Sequence, residues 1–250
     1  MNIKYLILSF LTFLFGCSKP SEKIIIATAA NVQYVMQEIK KEFEKESGKK
    51  IEIVVSSSGK LTTQIREGAP FDVFVSADTK YPEEIFARGG STGKPKIYAL
   101  GTLVLWAKDI PASDLNLEIL ATPKVKKIAI PNPKTAPYGE AAMQVLEKQK
   151  TFSEIKSKLV FGESIAQTAQ YITTGSVEAG FNALSIVLSP EMKAKGYWIE
   201  VDSTLYQPIK QAAILLRHSE DSPKKVTSEQ FYAFLYSKKA REIFKKYGYK

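Results

Sequence analysis

Residues 54–78 read VVSSSGKLTTQIREGAPFDVFVSAD, which is a strand, a helix and a strand in succession. β-Branched and apolar residues predict a strand over 51–55, and the spacing of apolar residues predicts a helix over 60–66. After a turn of Gly, Ala and Pro, the run DVFVS at 72–76 predicts the next strand. Three serines and a glycine at 56–59 stand between the first strand and the helix. They form either a plain surface turn or a place where hydroxyl and N–H groups bind something negative.

The same alternation of strands and helices continues on both sides of this unit. A strand is predicted over residues 24–28 and a helix over residues 32–47, which Gly48 ends. Further strands are predicted in LVLWA, KIAI, AGFNAL and QAAILL, with helices from Tyr138 and Ser164 and two more that end near Tyr247. Continuous apolar strands between helices indicate an α/β protein with mostly parallel sheets covered on both faces. The length of the chain suits two such lobes.

Four predicted helices begin with residues that are typical of a helix start. These starts lie at the carboxyl ends of the strands, which is where open α/β sheets bind ligands. These residues are Asn31 as an N-cap, the serine segment 56–59, Pro137 at a first helical position, and Ser164 in a capping box with Gln167. Each helix start offers unpaired N–H donors and a partial positive charge. Four of them facing one cleft would bind an anion without any charged residue.

The first 17 residues, MNIKYLILSFLTFLFGC, have the pattern of an export signal. Lys4 precedes an apolar run over residues 5–15, which is too short to span a bilayer stably. The ending Gly16-Cys17 resembles the bacterial lipoprotein signal, in which the cysteine is lipidated and becomes the first mature residue. We therefore expect a periplasmic or cell-surface protein that is anchored to a membrane through Cys17. An ordinary exported protein with an incidental cysteine is the alternative.

Composition and charge exclude several other classes of protein. The formal net charge is +9, but the lysines stand mainly in helical segments with glutamates between them, as in KKEFEKESGKK at 40–50. No arginine-rich stripe or RNA-binding aromatic motif accompanies them, so solvated helix faces explain the charge better than nucleic acid does. Cys17 is the only cysteine, so an intramolecular disulfide is excluded and the core must hold the fold.

The sequence lacks the motifs of an enzyme. His218 is the only histidine, so a His-rich metal site is excluded, and no G-x-S-x-G motif occurs. The segment GGSTGKPK at 89–96 has the wrong spacing for a phosphate loop and no preceding strand, which indicates a turn. Asp72 and Asp78 flank one strand, where capping explains them better than a carboxylate pair does. We therefore expect a binding protein without a cofactor.

Four segments resemble the periplasmic molybdate-binding proteins of ABC transporters. They are SSSGKLTTQIREGAPFDVFVSAD, KIAIPNPKTAPYGEAAMQVL, VEAGFNALS and REIFKKYGY, which follow the order of that family along the chain. The G-A-P-x-D-x-F-x-S-A-D run is the most specific of them. The resemblance implies a two-lobed type II periplasmic binding protein fold with the ligand in the inter-lobe cleft. With crossings near Leu100 and Gln207, lobe 1 is expected at 23–99 plus 208–250 and lobe 2 at 100–207.

The resemblance also implies the ligand and its contacts. Tetrahedral molybdate, and usually tungstate, is held by hydrogen bonds alone and delivered by a monomeric protein to an ABC permease in the membrane. Carried over position by position, the contacts fall on Asn31, Ser58, Tyr138 and Ile165, the last through its backbone N–H. If Ser58 is such a donor, Ser58→Ala should weaken binding and leave the stability of the empty protein nearly unchanged.

Two positions depart from the pattern of that family. Many members have a serine at the position of Asn31, which leaves open whether Asn31 acts through its side chain or its N–H. Many also have a tyrosine at the position of Ala183, whereas Tyr138 stands where those members have alanine. We interpret this difference as one phenol that has moved to the opposite wall of the same pocket.

Other interpretations stay open for the ligand and for single residues. The ligand is alternatively another oxyanion or a ferric complex, and a different class of protein is a lipid-anchored interaction protein. Asn31 and Ser164 are also explained as plain helix caps, and Tyr138 as a packed aromatic residue. Ser56 and Ser57 are predicted to be turn and cap residues rather than ligand contacts.

Overall fold

The structure, a computed structural model, describes residues 23–150, 152–220 and 222–250. The predicted export signal and Cys17 lie outside these residues. The strands, in chain order, are β1 (Ile24–Ala29), β2 (Ile51–Ser56), β3 (Val73–Val75), β4 (Lys96–Gly101), β5 (Leu103–Ala107), β6 (Ile128–Pro131), β7 (Leu159–Gly162), β8 (Ala179–Ala183), β9 (Tyr197–Glu200) and β10 (Ile209–Leu215). They form two five-stranded sheets, with the orders β2-β1-β3-β10-β4 and β7-β6-β8-β5-β9. This arrangement is the predicted two-lobed α/β fold.

Helices flank both sheets. They are α1 (Gln33–Ser47), α2 (Ser58–Arg66), α3 (Lys80–Ala87), α4 (Pro137–Glu147), α5 (Phe152–Ile155), α6 (Ile165–Thr173), α7 (Leu184–Val187), α8 (Lys225–Phe234) and α9 (Lys238–Lys246). In α1 the buried residues are Val35, Met36, Ile39 and Phe43, which share one face at helical spacing. Gly48 ends this helix in the left-handed conformation, with φ 68°, as its sequence position predicts.

The chain passes between the two sheets twice. β4 ends at Gly101 in the first sheet and β5 begins at Leu103 in the second, and the return lies between β9 and β10. β4 continues two residues beyond the predicted boundary at residue 99, because Leu100 and Gly101 still pair with β10. That the predicted boundaries separate two bodies that move against each other stays a prediction.

Both sheets are mixed, which corrects the prediction of mostly parallel sheets. β10 is antiparallel to β3 and β4, and β5 is antiparallel to β8 and β9. These two strands follow the crossings, so no helical connection within their own lobe requires a parallel direction. The pairs that helices do connect, such as β1 with β2 and β6 with β7, are parallel as predicted.

The first two helix starts differ from their prediction. After β1 the chain makes a 3₁₀ helix, Ala30–Val32, whose N-cap is Ala29, and Val32 is in turn the N-cap of α1. The interpretation of Asn31 as a helix cap is therefore wrong. After β2, helix α2 begins at Ser58, two residues earlier than predicted. Both changes bring the start of a helical segment closer to the end of its strand.

The other two helix starts are as predicted. Pro137 is the first residue of α4, where its missing N–H and fixed φ are tolerated. Ser164 is the N-cap of α6, and its hydroxyl oxygen accepts from the N–H of Gln167 at 3.4 Å. The Gln167 side chain reaches back to the N–H of Glu163 at 2.7 Å, one residue before the cap.

Asp72 is a structural residue at the start of β3. Its carboxylate is fully buried, accepts the Ile25 N–H at 2.7 Å and lies 3.7 Å from the Lys224 ammonium. Burial raises the pKa of the Asp72 carboxyl, and the Ile25 N–H and Lys224 oppose that shift. Since β1 and β3 are parallel, Asp72 lies at the opposite end of the sheet from their carboxyl ends. These contacts agree with the capping interpretation and not with a carboxylate pair.

We expect Asp72→Ala to lower the free energy of unfolding by about 1–3 kcal/mol more than Asp72→Asn does. Only asparagine keeps an acceptor for the buried Ile25 N–H, while both changes remove the carboxylate charge. Urea unfolding of both variants measures this difference, and Asp109→Ala on the exposed surface is the control. Equal losses in the two Asp72 variants would contradict the capping role.

Candidate anion-binding site

A small pocket lies between the two lobes at the carboxyl ends of β1 and β2 and the starts of α2, α4 and α6. It is lined by Ala29, Ala30, Asn31, Ser57, Ser58, Ala77, Ala136, Pro137, Tyr138 and Ile165, and in this closed structure its cavity volume is about 10 Å³. The structure thus brings together all four residues predicted as contacts, none of them more than 3% exposed. That they bind an anion stays a prediction.

Larger grooves lie on the outer surface. One of about 450 Å³ runs between α2 and α3 and includes Arg66 and Arg88. Both arginines already pair with Glu84, at 3.3 and 3.5 Å. A ligand of five atoms would make few contacts with this open groove, whereas neutral donors line the inter-lobe pocket on several sides.

No residue that lines the inter-lobe pocket carries a charge. Its polarity comes from helix starts, since the first N–H groups of a helix have no acceptor within it. Backbone N–H groups of Asn31, Ser58, Tyr138 and Ile165 occupy such positions in the 3₁₀ helix, α2, α4 and α6. The arrangement suits a small anion, which needs several donors around it and no counter-charge.

Ser58 lines the pocket and is held there through its hydroxyl group. Its oxygen accepts the N–H of Ala77 at 3.0 Å, and no acceptor for its hydrogen lies among the residues that the structure describes. The oxygen is held by one bond and the hydrogen is available for a ligand. Because the Ala77 N–H would lose its buried acceptor, we now expect Ser58→Ala to lower the stability of the empty protein, unlike the expectation from the sequence.

Tyr138 is a packed aromatic residue, which is one of its two interpretations, and its contact with an anion stays a prediction. The side chain is 1% exposed and packs as a core aromatic residue. Its hydroxyl oxygen accepts from Nε2 of Gln211 at 3.0 Å. Burial raises the pKa of the Tyr138 phenol well above its ordinary value, so the hydroxyl keeps its hydrogen. Asn31 and Tyr249 also lie within hydrogen-bonding reach of this phenol, which therefore belongs to the buried network around Gln211.

Asn31 is held by a buried network on the far side of the pocket wall. Its Nδ2 donates to Oε1 of Gln211 at 2.8 Å and to the Tyr249 hydroxyl at 2.9 Å. Both amide hydrogens are thereby used, and Oδ1 is buried without a partner among the described residues. An anion at this wall would therefore meet the backbone N–H of Asn31 rather than its amide N–H.

Ile165 offers its backbone N–H at the first position of α6. The Ser164 cap bonds Gln167 and leaves the N–H of Ile165 without an acceptor in the helix. Asn182 on β8 donates to the Ile165 carbonyl at 3.2 Å and so fixes the start of the helix against the sheet. The position of Ala183, next to Asn182, carries no phenol.

Sequence reasoning missed two residues around the pocket, Gln211 and Tyr249, and predicted Ser57 as a turn or cap residue. Ser57 is at the N-cap of α2 but makes no capping bond, and its buried hydroxyl is unpaired among the described residues. Gln211 and Tyr249 form the network behind the pocket. Neither carries a local signal, since each lies in an apolar or aromatic run and meets the pocket only through the tertiary fold.

The structure shows the cleft closed. The N–H of Gly59 in the first lobe donates to the carbonyl of Thr135 in the second at 2.9 Å, and the Tyr81 hydroxyl donates to the Lys134 carbonyl at 3.1 Å. A Cβ on Gly59 would lie 2.9 Å from the Thr135 Cα, so this close approach requires glycine. The lobes therefore meet along the rim of the pocket.

Asp78 lies in the neighbouring groove and not in the pocket itself. This groove also contains Glu140 of the second lobe. Burial raises the pKa of Asp78 to about 6, and Glu140 adds to the rise, while the Ser76 hydroxyl and the Tyr81 N–H oppose it. The carboxylates of Asp78 and Glu140 thus lie beside the pocket, where they repel a bound anion less than they would from the pocket lining. Among the described residues, no group of His, Cys, Asp and Glu is arranged to hold a metal ion.

Known proteins are similar to this chain over almost its whole length. A family model described as bacterial extracellular solute-binding protein matches residues 24–250. The molybdate-binding protein ModA of Azotobacter vinelandii is 39% identical over 237 residues, which cover 94% of this chain and 93% of that protein. The molybdate-binding protein ModA of Rhodobacter capsulatus is 37% identical and covers 96% and 93%. The solved structure of the periplasmic molybdate-binding protein of A. vinelandii matches with a TM-score of 0.83 at 32% identity, covering 91% of this chain and 99% of that chain.

We expect Ser58→Ala to lower the affinity for a tetrahedral oxyanion about ten- to a hundredfold, because a charge-assisted hydrogen bond contributes about 1.5–3 kcal/mol. It should also lower the free energy of unfolding of the empty protein by about 1–3 kcal/mol, through the orphaned Ala77 N–H. Calorimetric titration and thermal unfolding measure the two effects. Ser56→Ala, whose hydroxyl makes no bond among the described residues, should change neither. Unchanged affinity in Ser58→Ala would show that residues 56–59 are an ordinary turn.

Proposed function

The chain belongs to the bacterial extracellular solute-binding proteins and, within them, to the molybdate-binding proteins of ABC transporters, and on this premise we propose that it captures molybdate outside the cytoplasm and delivers it to an ABC permease. The observation that supports this most is the pocket between the lobes, which is lined by neutral hydrogen-bond donors and by no charged residue. Molybdate is a small tetrahedral dianion that can accept hydrogen bonds on every side. The protein is proposed to act as a monomer and to catalyse no reaction.

Capture follows from the distribution of the donors over the two lobes. Asn31 and Ser58 belong to the first lobe, and Tyr138 and Ile165 to the second. Each charge-assisted hydrogen bond contributes about 1.5–3 kcal/mol. Several such bonds together offset the free energy that is needed to remove water from the dianion. Only the closed cleft brings both sets of donors to the same ion. Binding therefore stabilises closure, and the closed form is the one that the permease would receive.

Tungstate is proposed as a second ligand, because it has the same shape and charge as molybdate and nearly the same size. Hydrogen-bond donors at fixed positions do not distinguish two ions of equal dimensions. Sulfate is a smaller tetrahedral dianion, so the same donors would lie too far from its oxygens. Discrimination in this pocket therefore depends on size.

One observation favours a different oxyanion. Oδ1 of Asn31 is a buried acceptor without a donor among the described residues. A protonated oxyanion such as hydrogenphosphate carries a hydrogen that this oxygen could accept, whereas molybdate carries none at neutral pH. A ferric complex is less compatible with the pocket, since Tyr138 is the single phenol in its lining.

We expect molybdate to bind the purified chain at least tenfold more tightly than sulfate, which corresponds to about 1.4 kcal/mol. The reason is the fit of fixed donors to the larger ion. Calorimetric titration with molybdate, tungstate, sulfate and phosphate measures the order. Equal affinities for sulfate and molybdate would contradict the size argument, and tighter binding of phosphate would favour the protonated oxyanion.

A membrane anchor is proposed from the sequence of the N-terminal segment. The apolar run over residues 5–15 ends at Gly16-Cys17, and lipidation of Cys17 would hold the protein at the membrane that carries the permease. In the part of the chain that the structure describes, no helix is both long and apolar enough to cross a membrane. A lipid would keep the binding protein close to its permease and would need no such helix.

We expect Cys17→Ala to move the protein from the membrane fraction to the soluble fraction, or to block removal of the signal. The change removes the thiol that would carry the lipid. Fractionation of cells that express either form, with the protein's mass as a measure of maturation, tests this. A Cys17→Ala protein that matures normally and still sediments with membranes would contradict the anchor.

A further inference from the structure

Residues 182–185, where β8 meets α7, form what we call the spacer segment, because it contacts the backbone of both pocket walls. Nδ2 of Asn182 donates to the carbonyl of Ile165 at 3.2 Å, and Ile165 lines the pocket from the second lobe. The Ser185 hydroxyl donates to the carbonyl of Asn31 at 2.7 Å, and Asn31 lines the pocket from the first lobe. One short segment therefore bonds a predicted contact of each lobe.

The bond to Asn31 belongs to a closed ring of three hydrogen bonds. The Tyr249 hydroxyl donates to the Ser185 oxygen at 3.0 Å and accepts from Nδ2 of Asn31 at 2.9 Å. With the bond from Ser185 to the Asn31 carbonyl, the ring begins and ends on the same residue. All three residues are buried, and hydrogen bonds in such a chain strengthen one another. Asn31 is therefore held through its carbonyl and its side chain at once.

The spacer segment is itself fixed in the second lobe. The N–H of Leu184 donates to the Thr102 carbonyl at 3.0 Å, where the chain crosses between the lobes. The N–H of Ala183 donates to Oδ1 of Asn182 at 2.9 Å, which uses the other end of that amide. All residues from 179 to 187 are buried. The two bonds to the pocket walls therefore start from a well-packed base and define a distance across the pocket.

The spacer segment bonds carbonyl groups and leaves the N–H groups of the same residues free. A bond to a carbonyl orients Asn31 or Ile165 without occupying its N–H, which is the group predicted to contact the anion. Tetrahedral oxyanions such as molybdate and sulfate share shape and charge but differ in size. The distance between the two walls is therefore the property of the pocket that can distinguish them.

We propose that Asn182 and Ser185 are positioning residues that hold the two pocket walls at a fixed spacing, and that this spacing determines which size of oxyanion is bound. The proposal rests on the function proposed above and extends it to two residues outside the pocket lining. A loosened spacer lets the donors of one lobe move toward a smaller ion and away from their best positions around a larger one. The larger ion then loses more affinity than the smaller one does.

A purely structural role for Ser185 makes a different prediction. If Ser185 only satisfies buried groups, its loss lowers the free energy of unfolding and weakens the binding of both anions by the same factor. The ratio of the molybdate affinity to the sulfate affinity separates the two roles, because a general loss of stability cancels in this ratio.

The experiment measures both affinities in the unaltered protein, Ser185→Ala, Tyr249→Phe and the double variant, by calorimetric titration with molybdate and by competition with sulfate. We expect Ser185→Ala to weaken molybdate binding at least about fivefold and sulfate binding less than about twofold. Tyr249→Phe removes the hydroxyl that completes the ring and should lower the ratio in the same direction. Since both residues act through Asn31, the double variant should change the ratio by less than the product of the single effects.

Ser189→Ala is the matched control. Ser189 follows the end of α7 by two residues, is fully buried, and its hydroxyl has no partner among the described residues. Because this hydroxyl does not bond either pocket wall, its removal should leave both affinities unchanged.

The outcomes distinguish this inference from the function on which it rests. An unaltered protein that binds no molybdate overturns both. Molybdate binding by the unaltered protein, with an unchanged ratio in Ser185→Ala and Tyr249→Phe, overturns the spacer role alone. If Ser185→Ala does not fold, as judged by circular dichroism, the ratio in Tyr249→Phe decides between the same results.

Discussion

A doubly charged anion can be buried without a counter-charge only where enough hydrogen-bond donors converge on it, and the rest of this structure depends on that constraint. Two lobes place the starts of α2, α4 and α6 and of one 3₁₀ helix around a single small pocket. N–H groups at such positions have no other partner and carry a partial positive charge. Lysines contribute to the net charge of +9 but none lines the pocket. The positive charge of the surface therefore does not supply the hydrogen-bond donors of the site.

The donors are held in direction by a second layer of neutral groups. The Ala77 N–H bonds the Ser58 oxygen, and Gln211 bonds the Tyr138 oxygen, so each hydroxyl is held in place by a neutral donor. Burial raises the pKa of both the Tyr138 and the Tyr249 phenols, which therefore stay protonated as donors. A network of this kind adds no charge that would need its own partner. Because several of its bonds join the two lobes, the site is complete only in the closed molecule.

Much of the fold and of the candidate site can be predicted from the sequence. The rest cannot be predicted from it, and the physical reasons can be identified. The helix starts near Ser58 and Ile165 follow from local signals, a serine segment after a strand and a capping box, whereas the role of these residues as contacts is implied by the family resemblance. Asn31 resembles a helix cap by type, yet its side chain makes bonds 180 and 218 residues away. Gln211 lies in an apolar strand, where no periodic pattern marks its role. The antiparallel direction of β5 and β10 could not be predicted either, because it is set by the crossings between the sheets and not by the residues of these strands.

A crystal structure of the protein with bound molybdate tests the central claim most directly. Hydrogen bonds of about 2.7–3.2 Å should join the anion's oxygens to the Ser58 and Tyr138 hydroxyls and to backbone N–H groups of Asn31 and Ile165. No lysine or arginine should contact the ion, and the Gln211 amide should still donate to Tyr138. An anion held by a basic side chain, or bound outside the inter-lobe pocket, would contradict the account.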